Sequence, residues 1–264
     1  MNFFYAALCI ATAEIGMLIA APQAERTPWT KSYLETRCVA SIDRYSMSLR
    51  GDRFHSMPRH ALQGTFFASS APSQDWEVDL GVQGRTLSTS KVFVRAERQL
   101  FSDLAHDPVA VTVFVDGSMS GHDRCSSPVY FEMAKNVVES GVGLGRHLII
   151  RKNAYTQVFA YFLGGVGSRR ACYASGEVGM QQVFFQRHYL RASFLHMKTF
   201  GSRHGSFHGI GTLKTDVNTI ALSYAYRWYS GIEVRLTYIR RMLTRSGIRS
   251  STTCQAGISV PISL

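Results

Sequence analysis

Residues 218–238 read NTIALSYAYRW, then YSG, then IEVRLTY. In the first block Ile220, Leu222, Tyr224, Tyr226 and Trp228 occupy every second position, and Thr219, Ala221, Ser223, Ala225 and Arg227 fill the others. An unbroken period of two is the mark of a strand with two different faces. After Tyr229-Ser230-Gly231 the alternation resumes. Ile232, Val234, Leu236 and Tyr238 face one way, and Glu233, Arg235 and Thr237 the other, which predicts an antiparallel hairpin. The end of the chain repeats the pattern, with Ala256, Ile258, Val260, Ile262 and Leu264 against Gln255, Gly257 and Ser259.

A soluble sandwich also alternates, so the period alone does not choose the solvent. Segment length and connection length do. Alternating segments of about 9–12 residues exceed the usual soluble strand, and about 9–11 residues are needed to cross a bilayer at a tilt. Working back from Leu264, the predicted connections at 241–251 and 201–216 are long, those at 229–231 and 185–188 short, and those at 166–171 and 148–156 moderate. Long and short connections on opposite rims, with one apolar and one polar face, predict an all-β, antiparallel, up-and-down transmembrane barrel. Predicted strands fall at 75–83, 91–99, 108–116, 136–147, 157–165, 173–185, 188–200, 217–228, 231–240 and 252–263. That is about ten, and the extended stretch within 25–71 is either an N-terminal extension or an extra hairpin that makes twelve.

The chain has 264 residues, 45% hydrophobic and 18% charged, with 29 Lys+Arg against 18 Asp+Glu, a net charge of +11. This composition excludes an acidic disordered tail, a collagen and a small disulfide scaffold. From Ser140 onward there are 16 basic residues and 3 acids, giving +13, while the preceding part carries 13 and 15, giving −2. Residues 1–24 read as a signal peptide, with cleavage after Ala24 or, alternatively, Ala13, and 72–264 as the barrel. Export without a long apolar helix places the barrel in the outer membrane of a bacterial cell, in contact with its lipid.

A closing strand that is apolar at alternate positions resembles the assembly signal of bacterial outer-membrane proteins, although this chain ends in Leu264 rather than Phe. The stretches VFVRAERQLFSDLAHDPVAV (92–111) and GVGLGRH (141–147) resemble uncharacterised outer-membrane barrels of chlamydia-like bacteria. That resemblance implies the location and brings no functional residues.

Candidate chemistry is sparse. Asp103, His106 and Asp107 lie close enough to activate a water in a hydrolase, but the turn residue Pro108 follows directly, and an Asx-type turn explains them. His196, His204 and His208 fall among glycines, where a four-residue spacing places nothing on a common face, so no metal site is assigned. Glycines at 141, 143 and 145 are not a dinucleotide motif, and their alternation relieves crowding inside a narrow barrel. Gly117-Ser118-Met119-Ser120-Gly121 has Met where a hydrolase elbow needs Ser, and is expected to be a loop. No catalytic residue and no cofactor is predicted.

Charge is more informative. Arg227, Glu233 and Arg235 share the polar face of a hairpin and are expected to form a lumenal ion-pair cluster. Arg240, Arg241, Arg245 and Arg249 are expected in and around the last loop, where guanidinium groups suit lipopolysaccharide phosphates or host sulfated glycans. Cys125, Cys172 and Cys254 are expected near one rim, able to bridge loops or to cross-link another envelope protein. Aromatics and arginines on opposite faces argue against a nucleic-acid partner. Three functions stay open: a structural or surface-interacting barrel, a small-solute porin, and an outer-membrane hydrolase.

Overall fold

The computed structural model describes residues 29, 36–49, 60–85, 88–105, 107–120, 136–151, 153–167, 172–200, 216–244 and 248–262. Twelve strands run in chain order: β1 (Thr36–Leu49), β2 (His60–Ser73), β3 (Trp76–Arg85), β4 (Ser88–Phe101), β5 (Ala110–Ser120), β6 (Asn136–Arg151), β7 (Ala154–Gly167), β8 (Cys172–Phe184), β9 (His188–Phe200), β10 (Asp216–Arg227), β11 (Glu233–Thr244) and β12 (Ile248–Ile262). Each pairs antiparallel with its successor, and β1 pairs with β12 from Thr36↔Ile262 to Leu49↔Ile248, so the sheet closes and has no edge.

The barrel therefore has twelve strands and begins at Thr36 rather than at residue 72, with β1 and β2 forming the extra hairpin. Three connections differ from expectation. β11 continues to Thr244 and β12 starts at Ile248, so the last connection is three residues rather than a long loop. β6 runs on to Arg151 and β7 begins at Ala154, a tight turn. β5 carries Gly117 to Ser120 in register with β4, where Gly117 faces Val94, so this stretch is strand and not loop. Longer ladders win because every carbonyl and amide in hydrocarbon must find a partner, and continuing the strand supplies one.

The rim that carries Thr36 and Ile262 also carries the turns at 73–76, 101–110, 151–154, 184–188 and 227–233. The opposite rim carries the longer connections, such as 121–135 and 201–215. In barrels of this type short turns are periplasmic and long loops extracellular.

Parity assigns the faces. Residues paired across strands share a side, and Leu80, Val94, Val115, Val178, Leu222 and Ile258 are all exposed on the outside. No helix of the described residues is long and apolar enough to cross a membrane. The crossing is made by strands of 10 to 16 residues.

Candidate functional site in the barrel lumen

The lumen has two unlike halves. On the inner faces of β2–β8, aromatic rings lie directly opposite glycines of the paired strand. The register places Phe67 and Phe93 across from Gly81, Phe114 from Gly141, Tyr161 from Gly143, Tyr173 from Gly165, and Phe159 from Gly179. Each of these glycines leaves room that a Cβ would take from the ring beside it. Phe114, Tyr161 and Phe159 form a chain of rings with centroids 6.0 Å apart, all buried.

Charges in this half are buried or half-buried. Asp79, Arg95 and Asp116 stand opposite one another on β3, β4 and β5, with Arg95 2.7 Å from Asp116 and 3.6 Å from Asp79. Tyr173 donates to Glu139, and Arg191 reaches Glu177 at 3.4 Å while lying over the Phe159 ring. Buried ions of this kind are stable only when paired.

The inner faces of β9–β12 are different. Ser193, Thr219, Ala221, Ser223, Thr237 and Gln255 are small or polar and half-buried. Tyr189 of β9 brings a ring to this wall, with the Arg227 guanidinium 5.2 Å from its centroid. Along this wall the described inward charges are Arg191, Arg227, Arg235 and Arg241 against Glu233 alone. Glu233 is clasped from both sides, 2.9 Å from Arg227 and 2.5 Å from Arg235. Both arginines stay about one-third exposed, at 38% and 31% of their side chains. Arg241 donates to Thr253 at 2.8 Å, and Arg37 of β1 to the Gly231 carbonyl at 2.8 Å. Acids thus gather on the packed wall and arginines on the accessible one.

The remaining sequence-predicted residues are dispersed. Arg240 is exposed on the outside of β11, Arg241 points inward, Arg249 lies in β12, and Arg245 lies outside the described residues. They do not form one loop cluster. Cys172 and Cys254 form no disulfide and are exposed on the outer faces of β8 and β12, with Cys254 in mid-strand rather than at a rim, and Cys125 lies outside the described residues. His106, His204 and His208 also lie outside them, and His196 bonds Asn218 at 2.8 Å. Asp107 accepts the Ser102 amide, closing the turn before Pro108.

One polar cluster has no local sequence signal. In the periplasmic turn between β4 and β5, Asp103 accepts the Trp29 indole N–H at 2.8 Å and the His147 amide and ring nitrogen at 2.6 and 2.9 Å. The chain of bonds continues from His147 through Gln157 to Gln181. The Trp29 ring packs edge-on against His147, 4.7 Å between centroids. Burial pushes the Asp103 carboxyl up, but the bonds from Trp29 and His147 outweigh it and hold it below its usual range. Trp29 precedes β1 by seven residues, yet it stands on β6, half the barrel away, inside the periplasmic mouth.

A closed antiparallel barrel, apolar outside and polar inside, is a transmembrane β-barrel of the bacterial outer-membrane type. Among solved structures it is similar to an outer-membrane channel from Pseudomonas putida F1, with a TM-score of 0.57 at 6% identity over 92% of this chain and 100% of that one. It is also similar to the NanC porin, with a TM-score of 0.56 at 11% identity over 84% of this chain and 100% of that one. At such identities the likeness is one of fold. No family model matches the chain, and no curated protein does.

Proposed function

We propose that the protein is a narrow outer-membrane channel for small solutes with a preference for anions, its passage running eccentrically along the inner faces of β9–β12. The observation that carries this is the partly exposed arginine wall of Arg227, Arg235 and Arg241, facing a wall whose rings are buried and whose acids are buried or half-buried. A charge lining a water-filled path in low-dielectric walls raises the local concentration of its counter-ion. Both similar folds are a channel and a porin by description, which supports conduction over a purely structural role. The likeness of 92–111 and 141–147 to barrels of chlamydia-like bacteria adds no chemistry to this.

The test is single-channel recording in planar bilayers under a salt gradient. Discrete conductance steps with an anion-selective reversal potential are expected. A folded barrel that gives no steps overturns the proposal and returns the protein to a structural role. Exposed Arg240, on the extracellular half of the outer face, supports a secondary contact with lipopolysaccharide phosphates.

A further inference from the structure

Three turns of the periplasmic rim are tied together. The Phe185 amide donates to the Asn153 carbonyl at 2.6 Å, joining the β8–β9 turn to the β6–β7 turn. The Arg227 amide donates to the Arg187 carbonyl at 2.9 Å, joining it to the end of β10. Between them lies a cavity of about 640 Å³, whose walls include Phe185, Arg187, His188, Tyr226, Trp228 and Tyr229.

Parity shows which way this cavity faces. Tyr189 and Arg227 are lumenal, so their neighbours His188, Tyr226 and Trp228 point outward. His188 bonds the outward Tyr224 hydroxyl at 2.9 Å. Tyr224, Tyr226 and Trp228 stack up the lower outside of β10 as an aromatic girdle, the signature of the membrane–water boundary. His188, Tyr226 and Trp228 therefore turn this wall of the cavity toward the headgroups of the inner leaflet, while Arg227, which also lines it, is lumenal.

Its charge fits that place. Arg227 is already engaged by Glu233. The Arg187 guanidinium lies over the Tyr229 ring and has no carboxylate partner among the described residues. Phe185 and Gln186 both take positive φ, 51° and 58°, in the three-residue turn between Phe184 and His188, where glycine or asparagine is the easy choice. Phe185 holds that conformation while 65% exposed and lining the cavity. A cation beside several aromatic rings, opening sideways to lipid, suits a ligand with an anionic head and an apolar body.

We propose that this cavity binds the phosphate of an inner-leaflet phospholipid, with Arg187 as the phosphate ligand and Tyr226, Trp228 and Phe185 packing against the glycerol and upper acyl segments. A soluble anion would use Arg187 but would gain nothing from the rings. The site uses a different cation from the proposed passage: Arg227 borders both but is held by Glu233, whereas Arg187 is not among the passage arginines.

The test uses the full chain purified in non-ionic detergent, with phosphatidylglycerol added and retained lipid counted by native mass spectrometry. One bound phosphatidylglycerol per barrel is expected, at least tenfold weaker in Arg187→Gln and in Tyr229→Ala. It should be unchanged in Arg98→Gln, which removes another cation of the same rim that lies over Trp76. Slower gel migration on boiling identifies folded barrel in each variant, and Tyr229, at 92% exposure, tolerates truncation if Arg187 does not. Retention by both variants equal to the parent overturns the site. Competition by soluble glycerol 3-phosphate at equal concentration also overturns it, assigning a water-borne anion instead.

Discussion

Replacing Gly143 by alanine tests whether the packed half of the lumen is built as described. Gly143 lies on β6 between Thr112 of β5 and Tyr161 of β7. An added Cβ would stand 2.6 Å from Thr112 Oγ1 and closer still to the Tyr161 ring, inside the 3.0 Å that real Cβ atoms respect. Tyr161 is 1% exposed and held between Phe114 and Phe159, so its ring cannot swing aside without moving both neighbours. Overpacking of this kind costs about 1–3 kcal/mol. Removing a mid-strand glycine returns about 0.5–1 kcal/mol, leaving a net loss of about 0–2.5 kcal/mol and placing Gly143→Ala about 1–3 kcal/mol below a glycine-to-alanine change that meets no neighbour. Gly64 on β2 supplies the control, since a Cβ there meets nothing within 4 Å, and Gly64→Ala should be neutral or slightly stabilising. The assay is urea unfolding of vesicle-embedded protein followed by tryptophan fluorescence, comparing midpoints at equal slope. A Gly143→Ala midpoint at or above that of Gly64→Ala would refute the ring-on-glycine account.

Arg235→Glu converts the clasp around Glu233 into a pair of acids beside one arginine. It should move the reversal potential under a salt gradient toward cation preference with the step size little altered, and an unmoved potential sinks the arginine wall as selectivity element. Arg95→Met leaves Asp79 and Asp116 facing each other without their cation in a buried setting, a loss of about 3–5 kcal/mol. A urea midpoint lowered by the equivalent of less than about 1 kcal/mol would show that these acids do not depend on Arg95. Asp103 has a folded pKa below its usual 3.8, so its bonds to Trp29 and His147 stabilise the mouth above that value and are lost as the pH falls through the lower, folded one. Asp103→Asn should therefore remove part of the stability difference between about pH 5 and pH 3, and an unchanged acid limb would show that another carboxylate controls it.

The parts of the barrel that were legible in the sequence are those where lipid dictates one face and water the other. On β10, every outward position from Ile220 to Trp228 is large and apolar, and every inward one from Thr219 to Arg227 is small or polar. β1 and β2 blur that contrast. Their outward positions include Cys38, Ala40, Arg44, Gly64 and Ser70, while the inward Phe67 is a ring over Gly81. Two polar-looking faces do not announce a spanning strand, although closure needs both. The end of β11 misleads for a related reason. Arg240 and Arg241 resemble a loop by composition, yet one points to lipid and the other to Thr253, so the ladder passes through both. Site residues follow the same rule of distance. Arg227, Glu233 and Arg235 sit within one hairpin and alternation alone puts them together. Asp103 meets His147 across 44 residues and Trp29 across 74, contacts that only the closed register creates.

That register also shows how a twelve-strand barrel leaves room for the proposed passage along one side. Interior width grows with strand number, and twelve strands enclose more space than one layer of side chains fills. The glycines of β3, β6, β7 and β8 let six rings lie down against their own wall instead of reaching across. Stacked in this way, with Arg95 and its two acids beside them, they thicken one wall into a core that Arg191 of β9 joins over Phe159. The opposite wall carries hydroxyls, alanines and arginines, packed at Val217, Ala225 and Thr253 and about one-third exposed at Arg227 and Arg235. In the proposed channel, width and charge preference would lie on opposite walls. The rings of β2–β8 would set how much of the bore is left, and the arginines of β9–β12 which ion enters it.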